Sequence, residues 1–360
     1  MPQEHHRLSG VVLKVQGFLP KTLWARLVWG ATGVFILSLA FAQPAVRPKR
    51  EITLTAQSVP LSVADPKLDH VGGLRFLGGV WLRSQDEGFG GLSGLSAEEK
   101  GGELRILAVT DQGDKLAGRV LFRDDRLAGV DAATMEPLVN LNGQPVAGKV
   151  FGDAESITRL PDGRILVSFE RRHRIWAYGP GLTGPAQIFE TPRALLDAPS
   201  NGGLESLAHF SDGRVLAITE QMKTERGNFA AFLLQGGAWT QVEWTGSAPG
   251  FEPSDAEVLP NGDLLVVERL WSALAPMDVR SRIMRVRGES VKPGAVLQGE
   301  VLAELRAPLI AENFEGITAF QSTSGATRLL IASDDNFNSA QRTLLLSFEI
   351  SDPAAPPAKR

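Results

Sequence analysis

Residues 151–170 read FGDAESITRLPDGRILVSFE, and residues 201–220 read NGGLESLAHFSDGRVLAITE. Each stretch carries a Glu near its start, an Asp-Gly pair between two apolar runs, and a second Glu at its end. Asp-Gly between apolar runs is typical of a β-hairpin, because both residues tolerate the positive φ of the turn. The two stretches therefore predict one two-stranded unit that recurs after 50 residues.

Three weaker copies of the unit extend the pattern along the chain. One runs from Pro253 to Glu268, one from Asn313 to Asp334, and a degenerate one from Gly90 to Asp111, in which Ser93 replaces the first Glu. Repeats of about 40 to 50 residues with several short strands are typical of propeller blades. We predict an all-β chain that forms a single β-propeller over residues 71–351. Five blades are expected, with the ring closed by an N-terminal strand over residues 74–82. A sixth blade within residues 51–85 is the alternative.

The repeated acids are expected to meet at one face of the propeller. The first acid begins one strand of the hairpin and the second ends the next strand, so antiparallel pairing brings both to the same end. In a propeller the first strand of each blade lines the central channel. The expected inner acids are Glu155, Glu205, Glu257 and Glu315. The expected outer acids are Asp111, Glu170, Glu220, Glu268 and Asp334.

So many carboxylates on one face repel one another unless cations, basic side chains or shared protons offset them. Ca²⁺ suits such a site because it binds six to eight oxygen ligands. Zinc fits poorly, since the chain has no Cys and only five His. A purely structural role, in which the acids pair with Arg or cap strands, stays open. The predicted metal ligands are Glu155, Glu205, Glu257, Glu315 and Asp334.

Catalytic roles can be assigned on the same face. Glu155 or Glu205 could activate a water molecule, and Arg171, Arg172 and Arg269 could stabilise developing negative charge. The expected substrate is a small anionic molecule or an ester. Ser93 is a weak candidate nucleophile, because the sequence around it lacks the last Gly of the Gly-x-Ser-x-Gly turn.

The first 42 residues predict an export signal. Basic residues precede an apolar run over residues 27–40, and Ala40-Phe41-Ala42 forms a small-x-small cleavage site before Gln43. The apolar run of about 14 residues is shorter than the roughly 20 that span a bilayer. We therefore expect a periplasmic or secreted protein without a stable membrane anchor, and an uncleaved anchor is the alternative. Residues 43–70 are expected to form an N-terminal extension, and residues 352–360 a flexible tail.

The overall charge excludes one class of partner. The chain of 360 residues has a formal net charge of −4, so no basic surface for nucleic acid is expected. The protein is expected to be monomeric.

Taken together, the motifs resemble a known family. They are Gly90-Gly91-Leu92-Ser93-Gly94-Leu95, Asp153-Ala154-Glu155, Phe169-Glu170-Arg171, Gly203-Leu204-Glu205, Asn313-Phe314-Glu315-Gly316, Ser333-Asp334-Asp335-Asn336-Phe337 and Leu345-Leu346-Ser347-Phe348-Glu349. This set resembles the phytase-like domain, named for the esterase-like activity of phytase, from about residue 70 to residue 350. The resemblance implies an exported bacterial propeller that hydrolyses phosphate or carboxylic esters. It carries over no catalytic residue. A non-catalytic binding propeller and a lactonase-like hydrolase are the competing hypotheses.

Overall fold

The computed structural model describes residues 48–146, 148–271 and 278–351. The predicted export signal and the predicted C-terminal tail lie outside the described residues. Within these ranges no helix has the length and apolarity needed to cross a membrane.

The described residues form mostly short strands. The first eight are β1 (Arg50–Glu51), β2 (Thr55–Val59), β3 (His70–Val71), β4 (Leu74–Arg83), β5 (Leu92–Lys100), β6 (Glu103–Thr110), β7 (Asp114–Arg123) and β8 (Arg126–Pro137). The next eight are β9 (Ala154–Arg159), β10 (Ile165–Phe169), β11 (Arg174–Gly179), β12 (Thr183–Phe189), β13 (Leu204–His209), β14 (Val215–Lys223), β15 (Phe229–Gln235) and β16 (Ala238–Trp244). The last eight are β17 (Glu252–Val258), β18 (Leu264–Leu270), β19 (Arg280–Val286), β20 (Val296–Leu297), β21 (Glu300–Leu305), β22 (Phe314–Gln321), β23 (Thr327–Ser333) and β24 (Leu344–Ile350). The helical elements are α1 (Lys149–Gly152) and 3₁₀ turns at Arg193–Asp197 and Gly288–Ser290.

The strands build five sheets, and this arrangement confirms the predicted five-bladed propeller. The described strands pair antiparallel except β16 and β20, which pair parallel. From the channel outwards, blade 1 is β5-β6-β7-β8, blade 2 is β9-β10-β11-β12, blade 3 is β13-β14-β15-β16 and blade 4 is β17-β18-β19-β21. The inner strands β5, β9, β13, β17 and β22 contact one another in that order, and β22 contacts β5. The ring of inner strands is therefore closed.

The fifth blade joins the two ends of the described chain. Its order is β22-β23-β24-β4-β2, so the N-terminal strand β4 pairs with the C-terminal strand β24. This pairing confirms the predicted closing strand and leaves neither β4 nor β24 as a free edge. The residues expected to form an N-terminal extension contribute β1, which pairs with β8, and β2, which pairs with β4.

Apolar side chains hold each blade against the next. A separate buried cluster fills each of the five junctions, and the junction between blades 5 and 1 includes Leu95, Leu330 and Leu345. Each fully buried Leu or Phe contributes roughly 1.5–3 kcal/mol to folding. The junctions therefore supply a continuous core around the channel.

The inner strands approach one another closely just below the channel mouth, where one of them carries a glycine. A Cβ atom at Gly94 would lie 2.6 Å from the backbone nitrogen of Ile157, so β5 can approach β9 this closely only with glycine there. The carboxylate of Asp255 lies at the same level, fully buried, and accepts hydrogen bonds from the Ser156 hydroxyl at 2.7 Å and the Ile317 amide at 2.8 Å. The channel mouth is therefore a recess with a polar floor.

Candidate metal centre at the mouth of the channel

Each inner strand begins with an irregularity that aims one side chain at the channel mouth. In β9 the pairing passes from Ala154 opposite Phe169 to Ile157 opposite Val167, so Glu155 lies in a bulge. The same shift recurs in the other four blades. Bulges redirect side chains next to functional sites. The bulge residues, called here the inner ring, are Ser93, Glu155, Glu205, Ser254 and Glu315.

One residue near the end of the second strand of each blade belongs to an outer ring. Its backbone N–H bonds to the carbonyl two residues before the bulge residue, as Glu170 does with Asp153 at 2.8 Å. Blades 1, 3 and 5 repeat this bond, and in blade 4 the same register pairs Arg269 with Glu252. The outer ring is Asp111, Glu170, Glu220, Arg269 and Asp334.

Blade 4 differs from the ring positions that the sequence repeat predicted. Glu257 and Glu268 were expected in the two rings, but the register of β17 and β18 puts Ser254 and Arg269 there. Glu257 lies three residues further along β17, half-buried, with Arg159 as its charged neighbour. Glu268 accepts a hydrogen bond from Trp244 Nε1 at 2.7 Å. The predicted ring positions of Glu257 and Glu268 were therefore wrong.

The two rings surround a cavity of about 100 Å³. Eight carboxylates line it, against the two cations Lys149 and Arg269. The carboxylates are those of Asp111, Asp153, Glu155, Glu170, Glu205, Glu220, Glu315 and Asp334. The cavity therefore carries a large excess of formal negative charge.

Three of these carboxylates converge. One oxygen from each of Asp153, Glu155 and Glu170 lies within 4.8 Å of the others, and all three side chains are buried. The Oδ1 atoms of Asp153 and Asp111 and the Ser93 hydroxyl are buried without a hydrogen-bond partner among the described residues. Buried polar atoms normally have partners, so these atoms require an explanation. An oxygen-rich recess with unpaired carboxylate oxygens fits a hard divalent cation.

Nearby groups fix the orientation of the convergent acids. Arg171 Nε donates to Asp153 Oδ2 at 2.6 Å, which leaves Oδ1 facing the cavity. Glu170 Oε1 accepts the backbone N–H groups of Gly202, at 2.6 Å, and Gly203. Lys149 Nζ lies 2.8 Å from Asp111 Oδ2. These contacts preorganise the acids before any ligand binds.

Arg269 is the cation that blade 4 places among the acids. Its guanidinium donates to Glu220 Oε1 at 2.5 Å, and its Nε lies 3.3 Å from Glu315 Oε1, close enough for an ion pair but not aligned as a hydrogen bond. Burial lowers the pKa of Arg269, but the carboxylates of Glu315 and Glu220 outweigh it and leave that pKa raised. Arg269 therefore stays charged.

Burial and mutual repulsion also raise the pKa values of the acids, which favours their neutral, protonated forms. Burial, followed by the charges of Asp153 and Glu170, raises the pKa of Glu155 well above its ordinary value. Burial and the neighbouring Glu155 do the same to the pKa of Glu205. Burial raises the pKa of Glu170 to about 7, although the glycine amides lower it. The cluster therefore retains protons until a cation replaces them.

The structure brings most of the predicted site residues together. Glu155, Glu205, Glu315, Asp334 and Arg269 all line the cavity. Arg171 and Arg172 do not line it: Arg171 pairs with Asp153, and Arg172 stacks on Phe151. Sequence reasoning missed Asp153, Lys149, Asn201 and Asn336 as lining residues. Asp153 could have been found, because it is a further acid two residues before Glu155, immediately ahead of β9.

Comparison with known proteins gives one family match. A model of the Phytase-like family, described as "Esterase-like activity of phytase", matches residues 87–337. No curated protein matches the chain.

Solved structures resemble the chain only distantly. The catalytic domain of the GH62 α-L-arabinofuranosidase of Coprinopsis cinerea is 13% identical, with a TM-score of 0.49, and the match covers 82% of this chain and 100% of that one. A gluconolactonase from Xanthomonas campestris is 12% identical, with a TM-score of 0.38 and coverage of 85% and 99%. A thermostable family-43 glycoside hydrolase is 8% identical, with a TM-score of 0.45 and coverage of 76% and 98%.

Proposed function

We propose that this chain, which belongs to the Phytase-like family, is an exported, calcium-dependent hydrolase of phosphate or carboxylic esters. The reaction is placed at the acidic cavity. One observation carries the proposal: three buried carboxylates converge there while neighbouring carboxylate oxygens have no partner among the described residues.

The donor set favours Ca²⁺. Apart from the cations Lys149 and Arg269, the groups facing the cavity are carboxylates, amides and a hydroxyl, and neither His nor Cys is among the cavity-lining residues of the described chain. Oxygen-only sites suit Ca²⁺, whereas structural and catalytic zinc usually takes nitrogen or sulfur ligands. In this proposal Asp153, Glu155 and Glu170 would hold the ion, with Asp111 beside them.

The bound cation would supply positive charge that polarises the ester group. Arg269, charged and half-buried at the cavity edge, donates hydrogen bonds to the oxygen on which negative charge develops. Glu205 would be ionised once the bound cation offsets the charge of Glu155, and it then accepts a proton from the attacking water. The water oxygen bonds to phosphorus or to the carbonyl carbon, the bond to the leaving oxygen breaks, and that oxygen takes the proton from Glu205.

Three residues that the sequence placed at the site are treated differently in this proposal. Arg171 is a positioning residue, since it turns Asp153 towards the cavity. Glu257 has no role in this proposal. Ser93 is a buried hydroxyl of the inner ring and is not assigned as a nucleophile.

The test is a substrate panel with the metal controlled. The purified protein is stripped with chelator and assayed with aryl phosphate, aryl acetate and inositol hexakisphosphate, with and without Ca²⁺. We expect hydrolysis of at least one substrate that requires Ca²⁺ and is lost in Glu155→Gln and Glu205→Gln. Failure of every substrate in the presence of Ca²⁺ would make the mouth a binding site rather than an active site.

A further inference from the structure

A larger groove opens directly from the acidic cavity. Its volume is about 1000 Å³, ten times that of the cavity, and it lies between blades 4 and 5. Arg269, Glu315 and Asn336 line both spaces. A molecule held at the cavity can therefore extend into the groove without leaving the surface.

The groove is built by two segments that bond to each other. The chain after β2 meets the loop between β21 and β22, where the Ile310 amide bonds to the Leu61 carbonyl at 2.8 Å and the Ser62 hydroxyl bonds to the Pro308 carbonyl at 3.3 Å. These bonds give the groove a fixed wall.

Exposed apolar side chains form one part of the groove, whose lining also includes polar and charged residues. Val63 is 83% exposed and Trp271 is 52% exposed, and both line the groove together with Leu309 and Ile310. Large apolar side chains this exposed commonly mark a binding surface when they share one concave site. The main charged pair of the groove is internally satisfied, because Arg342 Nε donates to Glu312 Oε1 at 2.6 Å. The groove therefore offers little to a polyanion.

We infer that the groove binds the apolar part of the substrate, and that the substrate is an amphipathic ester whose reacting group enters the acidic cavity. This inference rests on the proposed function for the identity of the reacting group. The volumes support it: the cavity holds a cation and a few atoms, whereas the groove has the size of a site for a drug-sized ligand. A compact polyanion such as inositol hexakisphosphate would fill neither.

A binding experiment tests the groove independently of hydrolysis. Alkyl phosphates from methyl to octyl are titrated into the full chain with Ca²⁺ present, and heat is measured by calorimetry. Each methylene that enters the groove is expected to tighten binding by up to about fourfold. The Val63→Asp and Trp271→Ala variants are expected to remove this dependence on chain length while leaving methyl phosphate binding unchanged.

Ile188→Asp is the matched control, because Ile188 is 77% exposed on β12 of blade 2, away from the groove. It is expected to bind octyl phosphate as the unmodified protein does. Equal affinities for methyl and octyl phosphate, or no binding of either, would overturn the inference. If affinity depends on chain length but no ester is hydrolysed, the inference about the groove is supported and the proposed function is wrong. If short esters are hydrolysed and neither binding nor hydrolysis depends on chain length, the proposed function is supported and the inference about the groove is wrong.

Discussion

The hydroxyl of Ser156, on β9 of blade 2, donates a 2.7 Å hydrogen bond to the carboxylate of Asp255, on β17 of blade 4. Blade 3 lies between these two blades in the ring, so this bond spans the channel. Ser156 Oγ also accepts the Leu207 amide at 2.9 Å, and Asp255 accepts the Ile317 amide. Two side chains therefore tie four inner strands together beneath the candidate metal centre.

Loss of this cross-channel acceptor is expected to destabilise the whole ring. Asp255→Asn presents an amide N–H to a buried donor, and Asp255→Ala leaves both donors unpaired. Each buried unpaired donor costs about 1–3 kcal/mol, so we expect a loss of roughly 3 kcal/mol in urea unfolding. Asp197→Asn, at an exposed position, is the control and is expected to change stability by less than about 0.5 kcal/mol. If the Asp255 variants were as stable to urea as the unmodified protein, the bond would be dispensable.

Calcium is expected to stabilise the folded protein. An ion at a hundred times its dissociation constant adds about 2.7 kcal/mol, which raises the melting temperature by roughly 5 °C in a domain of this size. Differential scanning calorimetry with and without chelator measures the shift. Glu155→Gln should abolish it.

Glu257→Gln is the matched control for the calcium experiment, because it makes the same chemical change in an acid that lies outside the cavity. It is expected to keep the full calcium shift. Loss of the shift in this variant would contradict the assignment of Ser254 to the inner ring.

The same Glu257 is expected to make stability depend on pH. Burial raises the pKa of Glu257 to about 8, with Thr318 and Arg159 opposing the change. A carboxyl whose pKa is raised on folding stabilises the protein fully below its unfolded value, 4.5, and loses that stabilisation as pH rises through 8. We expect Glu257→Gln to lose less stability between pH 5 and pH 8.5 than the unmodified protein, by on the order of 2 kcal/mol after solvent screening.

Urea unfolding at several pH values measures this difference, with chelator present so that metal binding does not contribute. Glu190→Gln, at an exposed position, is the control and should follow the unmodified protein. Parallel pH profiles for all three proteins would exclude Glu257 as the titrating group.

Arg172 and Arg269 were both predicted to stabilise negative charge, but their substitutions should affect activity differently. Arg269→Gln removes the half-buried cation that blade 4 places at the cavity, and loss of one such charge-stabilising donor typically lowers kcat about 100-fold. Arg172→Gln removes an exposed side chain stacked on Phe151, and its activity should stay within about twofold of the unmodified protein. Steady-state kinetics on whichever ester proves to be a substrate separates the two. Similar losses in both variants would argue against a specific role for Arg269.

Export is expected to remove the first 42 residues. Mass spectrometry of protein recovered from the periplasm or medium should give Gln43 as the N-terminal residue. Ala42→Asp should block cleavage, since the position before the cut needs a small uncharged side chain. A recovered protein that still begins before residue 27 would instead support the uncleaved anchor.

The blade count and the closing strand could be predicted because they depend on the repeat and on hairpin turns. The alignment in blade 4 was wrong because Asp255-Ala256-Glu257 copies the letters of Asp153-Ala154-Glu155 at a different register. Counting back from the turn glycine would have resolved it. Glu155 and Glu205 both lie eight residues before Gly163 and Gly213, and eight before Gly262 is Ser254.

The finer geometry of the site depends on contacts that no repeat encodes. Asp153 faces the cavity through its bond to Arg171, whose φ of 53° comes from a turn. Lys149 reaches Asp111 from α1, a four-residue helix without a counterpart in the other blades of the described chain. The groove requires the segment after β2 to meet the loop before β22, nearly 250 residues away. Such long-range pairings arise from packing and leave no periodic signal.

The pairing of β4 with β24 also sets the order in which the molecule can assemble. Four blades consist largely of strands that are neighbours in sequence, so each can form soon after it is synthesised. The fifth needs β4, which is made early, and β24, the last of the described strands, so the pairing of β4 with β24 waits until residues 344–350 exist. A chain that stops short of Leu344 leaves β4 and β23 with open edges, and such edges can pair with other chains and promote aggregation.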